Sequence, residues 1–503
     1  MLRKVRIILA VLFFAGITLL LAGIGRQWWG WMAKLQFLPS CLAGNFIVIG
    51  GIALLTLLFG RIYCSVICPL GVYQDLIIWI RRQIGLFANK VNVKRKVKAA
   101  QARKEGREVE AVSTLKAEVK HFKYNRERRL PRYIVLGLTA LAVFADIQLL
   151  VALIEPYSAY GRMVHTAVGM CGGADIPVAL MITAAATLVI ISVSAWLWGR
   201  AWCSNICPVG SLLGIISRFS LFKIRFDVDK CTACGRCGRG CKASCIDGDA
   251  RIIDYSRCVD CFDCIYRCTG HAIHLKYAYG KKKAEAKTGE EPAVDESKRA
   301  FLAGALMVGT AATLKAQDTK LEGSLAAIID KKVPQRSERL TPPGSESLKN
   351  FYSHCTACQL CVSTCPNGVL RPSTDLEHLL QPEMGYEKGY CRPECTACSQ
   401  VCPAGAILPI TPEEKTTIHI GRATVDYDLC VVNRDGVECG NCSRHCPAGA
   451  IVMVSKDPSD PDSPKIPSVL EDKCIGCGAC ENLCPSRPFS AIHVDGLNVH
   501  IKD

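Results

Sequence analysis

Cysteine is the residue that could do chemistry in this sequence, since 31 of the 503 residues are cysteines. Most stand in six short runs. Four runs have the spacing Cys-x2-Cys-x2-Cys-x3-Cys, and two have a wider first gap. This spacing is typical of 4Fe–4S clusters, in which three thiolates hold one cluster and the fourth crosses to the neighbouring one. Structural zinc also takes four cysteines, but the tandem triple spacing disfavours it.

Crossed pairing of adjacent runs predicts six 4Fe–4S clusters and assigns four ligands to each. The six sets are Cys231, Cys234, Cys237 with Cys268; Cys258, Cys261, Cys264 with Cys241; Cys355, Cys358, Cys361 with Cys402; Cys391, Cys395, Cys398 with Cys365; Cys430, Cys439, Cys442 with Cys484; and Cys474, Cys477, Cys480 with Cys446. The wider first gaps are tolerable because an inserted loop can bulge outward while the thiol returns. Of the seven cysteines left over, Cys41, Cys171 and Cys245 stand outside any run.

The other four remaining cysteines lie in an internal repeat. The segment GRIYCSVICPLG at residues 60–71 recurs as GRAWCSNICPVG at residues 199–210. Each copy follows an apolar stretch, so a duplicated unit with a pseudo-twofold axis is expected. The two Cys-x3-Cys-Pro boxes would bring together Cys64, Cys68, Cys203 and Cys207. Metal or cluster ligation, redox-active thiols and simple packing all remain open for them.

Hydropathy and charge point to a membrane protein. Half of the residues are hydrophobic, and the mean hydropathy is +0.20. Four apolar stretches, at about residues 7–25, 37–60, 133–153 and 177–198, are close to the roughly 20 residues that span a bilayer. Residues 81–132 hold 17 Lys and Arg against 5 Asp and Glu. We interpret this loop as the cytoplasmic side of a multi-pass protein of the bacterial inner membrane, and we expect no nucleic-acid partner.

Three polar side chains near these stretches are candidates for quinol and proton chemistry. Asp146 lies inside the third stretch, where a carboxylate is costly and usually functional. Glu155 and His165 lie in the loop that follows. We predict that these three form a quinol or proton site. A neutral Asp146 that fastens two helices together, and a structural histidine, are the alternatives.

A second predicted feature is an export signal in the middle of the chain. Residues 297–317 read SKRAFLAGALMVGTAATLKAQ, a basic pair followed by a short apolar run. Such signals belong at N-termini. A domain already loaded with clusters cannot cross a membrane unfolded with its metal in place. A twin-arginine-like signal between two ferredoxin regions would therefore allow the second region to be exported in its folded form. We expect a retained fifth span here, with a buried amphipathic helix as the alternative.

The fold class that follows is multi-domain. We predict an all-α transmembrane bundle over 1–222 and a cytoplasmic α+β ferredoxin-like module with two clusters over 223–280. A linker with the signal would occupy 281–320. An exported domain would fill 321–503, with two tandem two-cluster modules at about 345–412 and 420–500.

The first 275 or so residues resemble the NapH family of membrane polyferredoxins. The four apolar stretches, the two boxes and the two-cluster module carry that resemblance. The last 200 or so resemble the NapG family of exported ferredoxins, with the signal and four clusters. The resemblance implies quinol dehydrogenase activity: menaquinol or ubiquinol would feed electrons through the clusters to a periplasmic reductase or small electron carrier. An assembly factor or a redox sensor for a respiratory metalloenzyme remains the alternative.

Overall fold

A computed structural model of the chain describes residues 2–104, 122, 124–125, 127, 129–145, 148–173, 176–278, 330–375, 377–457, 459–460 and 463–503. Within these ranges the chain forms a helical region up to residue 217, a small α+β module that ends at residue 278, and a larger α+β region from residue 330. The predicted export signal, its linker and Asp146 lie outside the described residues.

The helical region contains two helices that are long and apolar enough to cross a bilayer, Leu2–Leu21 and Val178–Trp198. Two shorter helices, Phe46–Phe59 and Pro208–Ser217, are also apolar. The four-span bundle therefore stays a prediction. The remaining helices described here are Arg26–Lys34, Phe37–Leu42, Tyr63–Val66, Pro69–Lys104, Arg129–Phe144, Gln148–Ile154, Pro156–Cys171 and Ala201–Asn205.

The apolar stretch at 37–60 is not one straight helix. It divides into Phe37–Leu42 and Phe46–Phe59, because Gly44 takes a positive φ of 63° that ends the first helix. The Asn45 side chain then accepts a hydrogen bond from the Val48 amide at 3.3 Å and caps the second helix. Fourteen residues extend about 21 Å at 1.5 Å per residue, which is less than the roughly 30 Å of a bilayer core.

The two Cys-x3-Cys-Pro boxes adopt the same local structure. Each begins with a short helix, Tyr63–Val66 in one copy and Ala201–Asn205 in the other. Each then starts a longer helix at its proline, Pro69–Lys104 and Pro208–Ser217. Proline suits the first helical position because its missing N–H has no partner there in any case. The sequence repeat is thus also a structural repeat.

The first α+β module is held by two antiparallel strand pairs. Strand Phe222–Phe226 pairs with Ile273–Tyr277, and Ile246–Asp247 pairs with Ile252–Ile253. The short helices Arg236–Arg239 and Asp263–Arg267 each follow the first cysteines of a run. Cysteines and aliphatic side chains such as Ile224 and Ile246 form the core.

The region from residue 330 contains three further antiparallel strand pairs. Ile418–Val425 pairs with Ile492–Lys502, Leu370–Pro372 with Pro382–Met384, and Ile451–Ser455 with Lys465–Val469. Its short helices are Leu348–His354, Leu360–Thr364, Ala397–Val401, Pro412–Thr416, Val431–Arg434, Asn441–Arg444 and Ala479–Leu483, with a 3-10 turn at Glu471–Lys473. Eleven of the cysteines pack into its main core with the strands.

Candidate iron–sulfur centres

The first α+β module brings its second predicted ligand set together. The Cys264 thiol interacts electrostatically with those of Cys261, Cys258 and Cys241. The first set is drawn together in part, since Cys237 interacts with Cys231 and Cys234. All 31 cysteines are free thiols, so the donors that a 4Fe–4S cluster needs are present.

In the later region the predicted sets form a row. The first set groups Cys355, Cys358 and Cys361 with Cys402, and Cys361 also interacts with Cys398 of the next set. Within that second set, Cys398 interacts with Cys391, Cys365 and Cys395.

The row continues from Cys391, whose amide donates to the carbonyl of Cys477 at 2.9 Å. Cys477 interacts with Cys474 and Cys446, and Cys442 interacts with Cys439 and Cys484 at the far end. The order in space is therefore the Cys355, Cys391, Cys474 and Cys430 sets, which differs from their order along the chain.

The four box cysteines converge in one buried place. Each of Cys64, Cys68, Cys203 and Cys207 is at most 4% exposed. All six pairs among the four thiols interact electrostatically. Among the described residues, no three His, Cys, Asp or Glu side chains meet as ligands of a single metal ion would. Four buried thiols that all interact with one another could supply the ligands of a 4Fe–4S cluster, in which each thiolate binds a separate iron at a corner.

Two buried arginines join the boxes crosswise. Arg61 of the first copy donates to the Cys203 carbonyl at 2.9 Å, and Arg200 of the second donates to the Cys64 carbonyl at 2.8 Å. Both arginines are 0% exposed. Arg61 also approaches the Cys64 sulfur at 3.8 Å. This reciprocal arrangement is the pseudo-twofold axis that the repeat predicts, and it places two cations beside four thiols.

The glycine that ends each box allows this close approach. A methyl group on Gly71 would overlap the Cys64 carbonyl oxygen, and one on Gly210 would overlap that of Cys203. Any larger residue at either position would push a box cysteine away from the others. The terminal glycine of the motif therefore has a steric reason.

Asp75 anchors this site to its surroundings. Its carboxylate binds Arg6, Arg200 at 2.7 Å and Lys242 at 2.9 Å. Burial alone would raise the pKa of Asp75, but the three cations lower it well below its usual value. Because Lys242 follows the predicted ligand Cys241, one carboxylate links the Leu2–Leu21 helix, both boxes and the first α+β module.

The two cluster-bearing regions lie at opposite ends of the Leu2–Leu21 helix. At its start, Arg3 forms a 2.7 Å ion pair with Asp263 of the first module. Just past its end, Gly23 packs against the Ser363 carbonyl of the later region. Twenty residues span about 30 Å, and three of the box cysteines, Cys64, Cys68 and Cys207, belong to the hydrophobic core that packs with this helix. That continuous core also includes Cys261 and Cys358.

His165 lies in the Pro156–Cys171 helix and Glu155 lies directly before it, where the sequence predicted a loop. Glu155 caps the Pro156–Cys171 helix by accepting from the Ser158 amide. His165 shares a 2.7 Å hydrogen bond with the Ser363 hydroxyl. Burial raises the pKa of Glu155 and lowers that of His165. Both face the contact with the Cys355 set, while Asp146 lies outside the described residues.

Some residues of these sites escape an analysis of spacing. The surplus Cys245 lies 3.5 Å from the Cys241 sulfur and also hydrogen-bonds Cys258. It therefore belongs to the surroundings of the second predicted cluster. The Cys245 side chain is 1% exposed. In the sequence, its position four residues after Cys241 is the feature that could have pointed to this role. Cys41 and Cys171, by contrast, are exposed.

These features define an iron–sulfur protein whose chemistry is electron transfer. The 4Fe–4S binding domain family matches residues 43–86 and 180–227, which contain the two boxes. The 4Fe–4S dicluster domain family matches residues 354–406 and 437–487.

Individual relatives agree with this class. The putative electron transport protein YccM of Escherichia coli K12 is 25% identical over 50% of this chain and 62% of its own length. The methylamine utilization ferredoxin-type protein MauN of Paracoccus denitrificans is 26% identical over 42% of this chain and 56% of its own length. This chain thus covers less than two thirds of either protein. The ferredoxin-type protein NapF of Escherichia coli K12 is 30% identical over 36% of this chain and 99% of its own length. The chain belongs to this family of 4Fe–4S ferredoxin-type proteins.

Proposed function

We propose that this protein is a membrane-embedded electron conduit that oxidises quinol and delivers electrons to a periplasmic reductase or carrier. In this proposal it carries six 4Fe–4S clusters on the six cysteine runs and a seventh at the boxes, and it combines a NapH-like half with a NapG-like half. The observation that carries the proposal is the position of the box site. It lies in one continuous core that reaches ligands of both cluster-bearing regions. Without it, the roughly 30 Å of a bilayer core would separate the two regions.

The surface of the helical region supports a membrane setting. Large apolar side chains point outward from several helices, among them Phe46 at 82%, Ile47 at 88% and Leu141 at 63% exposed. Monomeric soluble proteins rarely expose contiguous apolar patches of this extent. The relative YccM is described as a putative electron transport protein, which is consistent with the proposal.

The box cysteines act in this proposal as the stepping stone between the two regions. A cluster held by four thiolates is anionic, and Arg61 and Arg200 supply nearby positive charge. Buried polar groups need such partners, because unpaired buried charges are strongly unfavourable. A bound cluster would supply one-electron redox chemistry, while the chain excludes water and fixes the thiols.

The contact between the box site and the later region is also tightly packed. Tyr157 is 1% exposed and interacts electrostatically with Cys358 and Cys402. Tyr63 is 2% exposed and lies near both Cys68 and Glu155. These two aromatic side chains fill the space between the boxes and the Cys355 set. Electrons leaving the boxes would cross protein and not water.

The test is an anaerobic iron count combined with electron paramagnetic resonance on the detergent-purified full chain. Six clusters require about 24 irons, and a seventh at the boxes raises the count to about 28. Addition of a menaquinol analogue should produce signals of reduced clusters. Full iron loading with no reduction by quinol would overturn quinol oxidation, and a cytoplasmic electron donor would replace it.

A paired substitution tests the stepping stone. In Cys64→Ser/Cys203→Ser we expect the loss of about four irons, with the other clusters retained. Quinol should then reduce clusters on one side only. Cys41→Ser/Cys171→Ser is the matched control, since both residues are exposed and lie outside every predicted set. An unchanged iron count in the box variant would favour the alternative of thiol redox or sensing.

A further inference from the structure

A large cavity lies between the Leu2–Leu21 helix, the Pro69–Lys104 helix and the first α+β module. Its volume is about 810 Å³. The two helices provide an apolar upper wall that includes Val11, Phe14 and Leu76. The module provides a polar floor next to the predicted cluster ligands Cys241 and Cys264. The cavity is therefore amphipathic.

The polar lining of this cavity, to which both the helices and the module contribute, is strongly cationic. Of the described lining side chains, seven are basic and two are acidic. The two acidic groups are already engaged, since Asp75 binds Arg6, Arg200 and Lys242 and Asp263 binds Arg3. A net charge of about +5 facing one space favours an anionic occupant.

Arg82 and Arg267 concentrate this excess. Within the described part of the chain, neither forms a salt bridge. Arg267 lies within electrostatic range of Arg82 and Arg3, which repel it, and of the Asp263 carboxylate, which attracts it and also pairs with Arg3. Its guanidinium also packs closely over Gly240, which fixes its position. An anion between Arg82 and Arg267 would relieve the repulsion and satisfy several N–H donors at once.

Exposed tryptophan side chains lie near the basic residues of this cavity. Trp79 lines the cavity and is 56% exposed. Trp196 and Trp198, at the end of the Val178–Trp198 helix, are 39% and 62% exposed. The Trp196 carbonyl accepts from Arg81 of the cavity wall, which brings both groups to one level. Exposed tryptophans are enriched where acyl chains meet headgroups.

We propose that this cavity binds an anionic phospholipid, with its phosphate between Arg82 and Arg267 and an acyl chain along Val11 and Phe14. The inference rests on the membrane placement in the proposed function, but not on quinol chemistry. The charge decides the occupant, because a neutral quinone needs no such excess of cations. Basic pockets between membrane helices on the cytoplasmic side bind anionic headgroups in this way. The lipid would hold the first module against the bilayer.

The test uses native mass spectrometry on the full chain in detergent after delipidation. Phosphatidylglycerol, phosphatidylcholine, inorganic phosphate and a menaquinone analogue are added separately. We expect one phosphatidylglycerol per chain, bound at least tenfold more tightly than phosphatidylcholine. Arg82→Gln/Arg267→Gln should weaken phosphatidylglycerol binding at least tenfold. Lys230→Gln/Lys276→Gln is the matched control, because it removes two charges from the same module outside the cavity.

The iron content of each variant checks that it is folded. If the double variant does not fold, phosphatidylglycerol binding is measured on the single variant Arg82→Gln, because Arg82 is exposed. Equal binding of both lipids, or equal binding by the cavity and control variants, would overturn the proposal. Displacement of the lipid by inorganic phosphate at equal concentration would assign the site to a soluble anion, and Arg82-dependent binding of the quinone analogue would assign it to quinone. Quinol-dependent cluster reduction, measured on the same samples, reports separately on the proposed function.

Discussion

Gly210 offers a direct test of the box geometry, because it touches both a box cysteine and the arginine that joins the boxes. A methyl group in Gly210→Ala would lie 2.6 Å from the Arg61 terminal nitrogen. An ordinary contact begins at 3.4 Å, so Arg61 must retreat by about 0.8 Å. Since the methyl also overlaps the Cys203 carbonyl oxygen, the 2.9 Å bond between that oxygen and Arg61 would stretch to at least about 3.7 Å, beyond hydrogen-bond range. Losing a buried hydrogen bond from a charged group costs about 1.5–3 kcal/mol.

The consequence to measure is occupancy of the box site. We expect Gly210→Ala to lose about four of about 28 irons under mild chelation, with the other clusters retained. Gly50→Ala is the matched control, since its added methyl meets nothing within 4 Å and it improves helix propensity. Gly71→Ala should reproduce the loss through overlap of its added methyl with the Cys64 carbonyl oxygen, since Arg200 lies 3.6 Å from that methyl and need not move. A full iron count in both box variants would refute the reasoning that these glycines hold four thiols around a cluster.

Two further predictions concern the stability of the region from residue 330. Glu481→Gln should cost about 3–5 kcal/mol, because it removes the carboxylate charge that pairs with Arg336, in a pair whose side chains are 8% and 3% exposed. The exposed pair changed by Glu471→Gln should cost less than about 1 kcal/mol. Denaturant unfolding, monitored by limited proteolysis, gives the loss of stability in each variant. Equal losses in the two variants would contradict the difference in burial between the two ion pairs. Burial lowers the pKa of His500 to about 4, so the unfolded chain, with a histidine pKa of about 6.5, binds the proton more tightly than the folded one. Stability should be complete above about pH 6.5 and fall by up to about 3 kcal/mol toward pH 4, and His500→Gln should remove this pH dependence; a wild type and variant with parallel pH profiles would argue against it.

The cysteine pattern carries much of the candidate site, because thiolate spacing is a local property. Three closely spaced cysteines and a distant fourth predict a crossed ligand set wherever two runs are adjacent. In the structure the distant Cys241 does lie beside Cys264 and its neighbours. The order of the sets in space is different: the Cys391 set lies beside the Cys474 set, a contact that spacing within runs does not encode.

The arginines around the boxes are recognisable only in part. The repeat places an arginine at the same position of each copy, so a shared role could be expected from sequence. The hydrogen-bond partner of each arginine could not be predicted from sequence, because Arg61 and the Cys203 carbonyl, for example, are separated by 142 residues. Asp75 is harder still, since an aspartate in a mostly apolar helix gives no local sign that it gathers three cations. Long-range polar networks depend on the packing of separate elements, which hydropathy does not report.

The interruptions in the apolar stretches have a structural reason that a hydropathy average conceals. The break that ends at Asn45 places Ala43 against Gly405 of the later region, at 3.2 Å from an added methyl position. Gly161, on a helix that follows the third stretch, packs more closely still on the Cys358 carbonyl. Uninterrupted helices would continue past these positions and would leave no surface on which the Cys355 set could pack. The breaks therefore let a ligand of the Cys355 set touch the helical region directly, which is the contact that an electron path from the boxes requires.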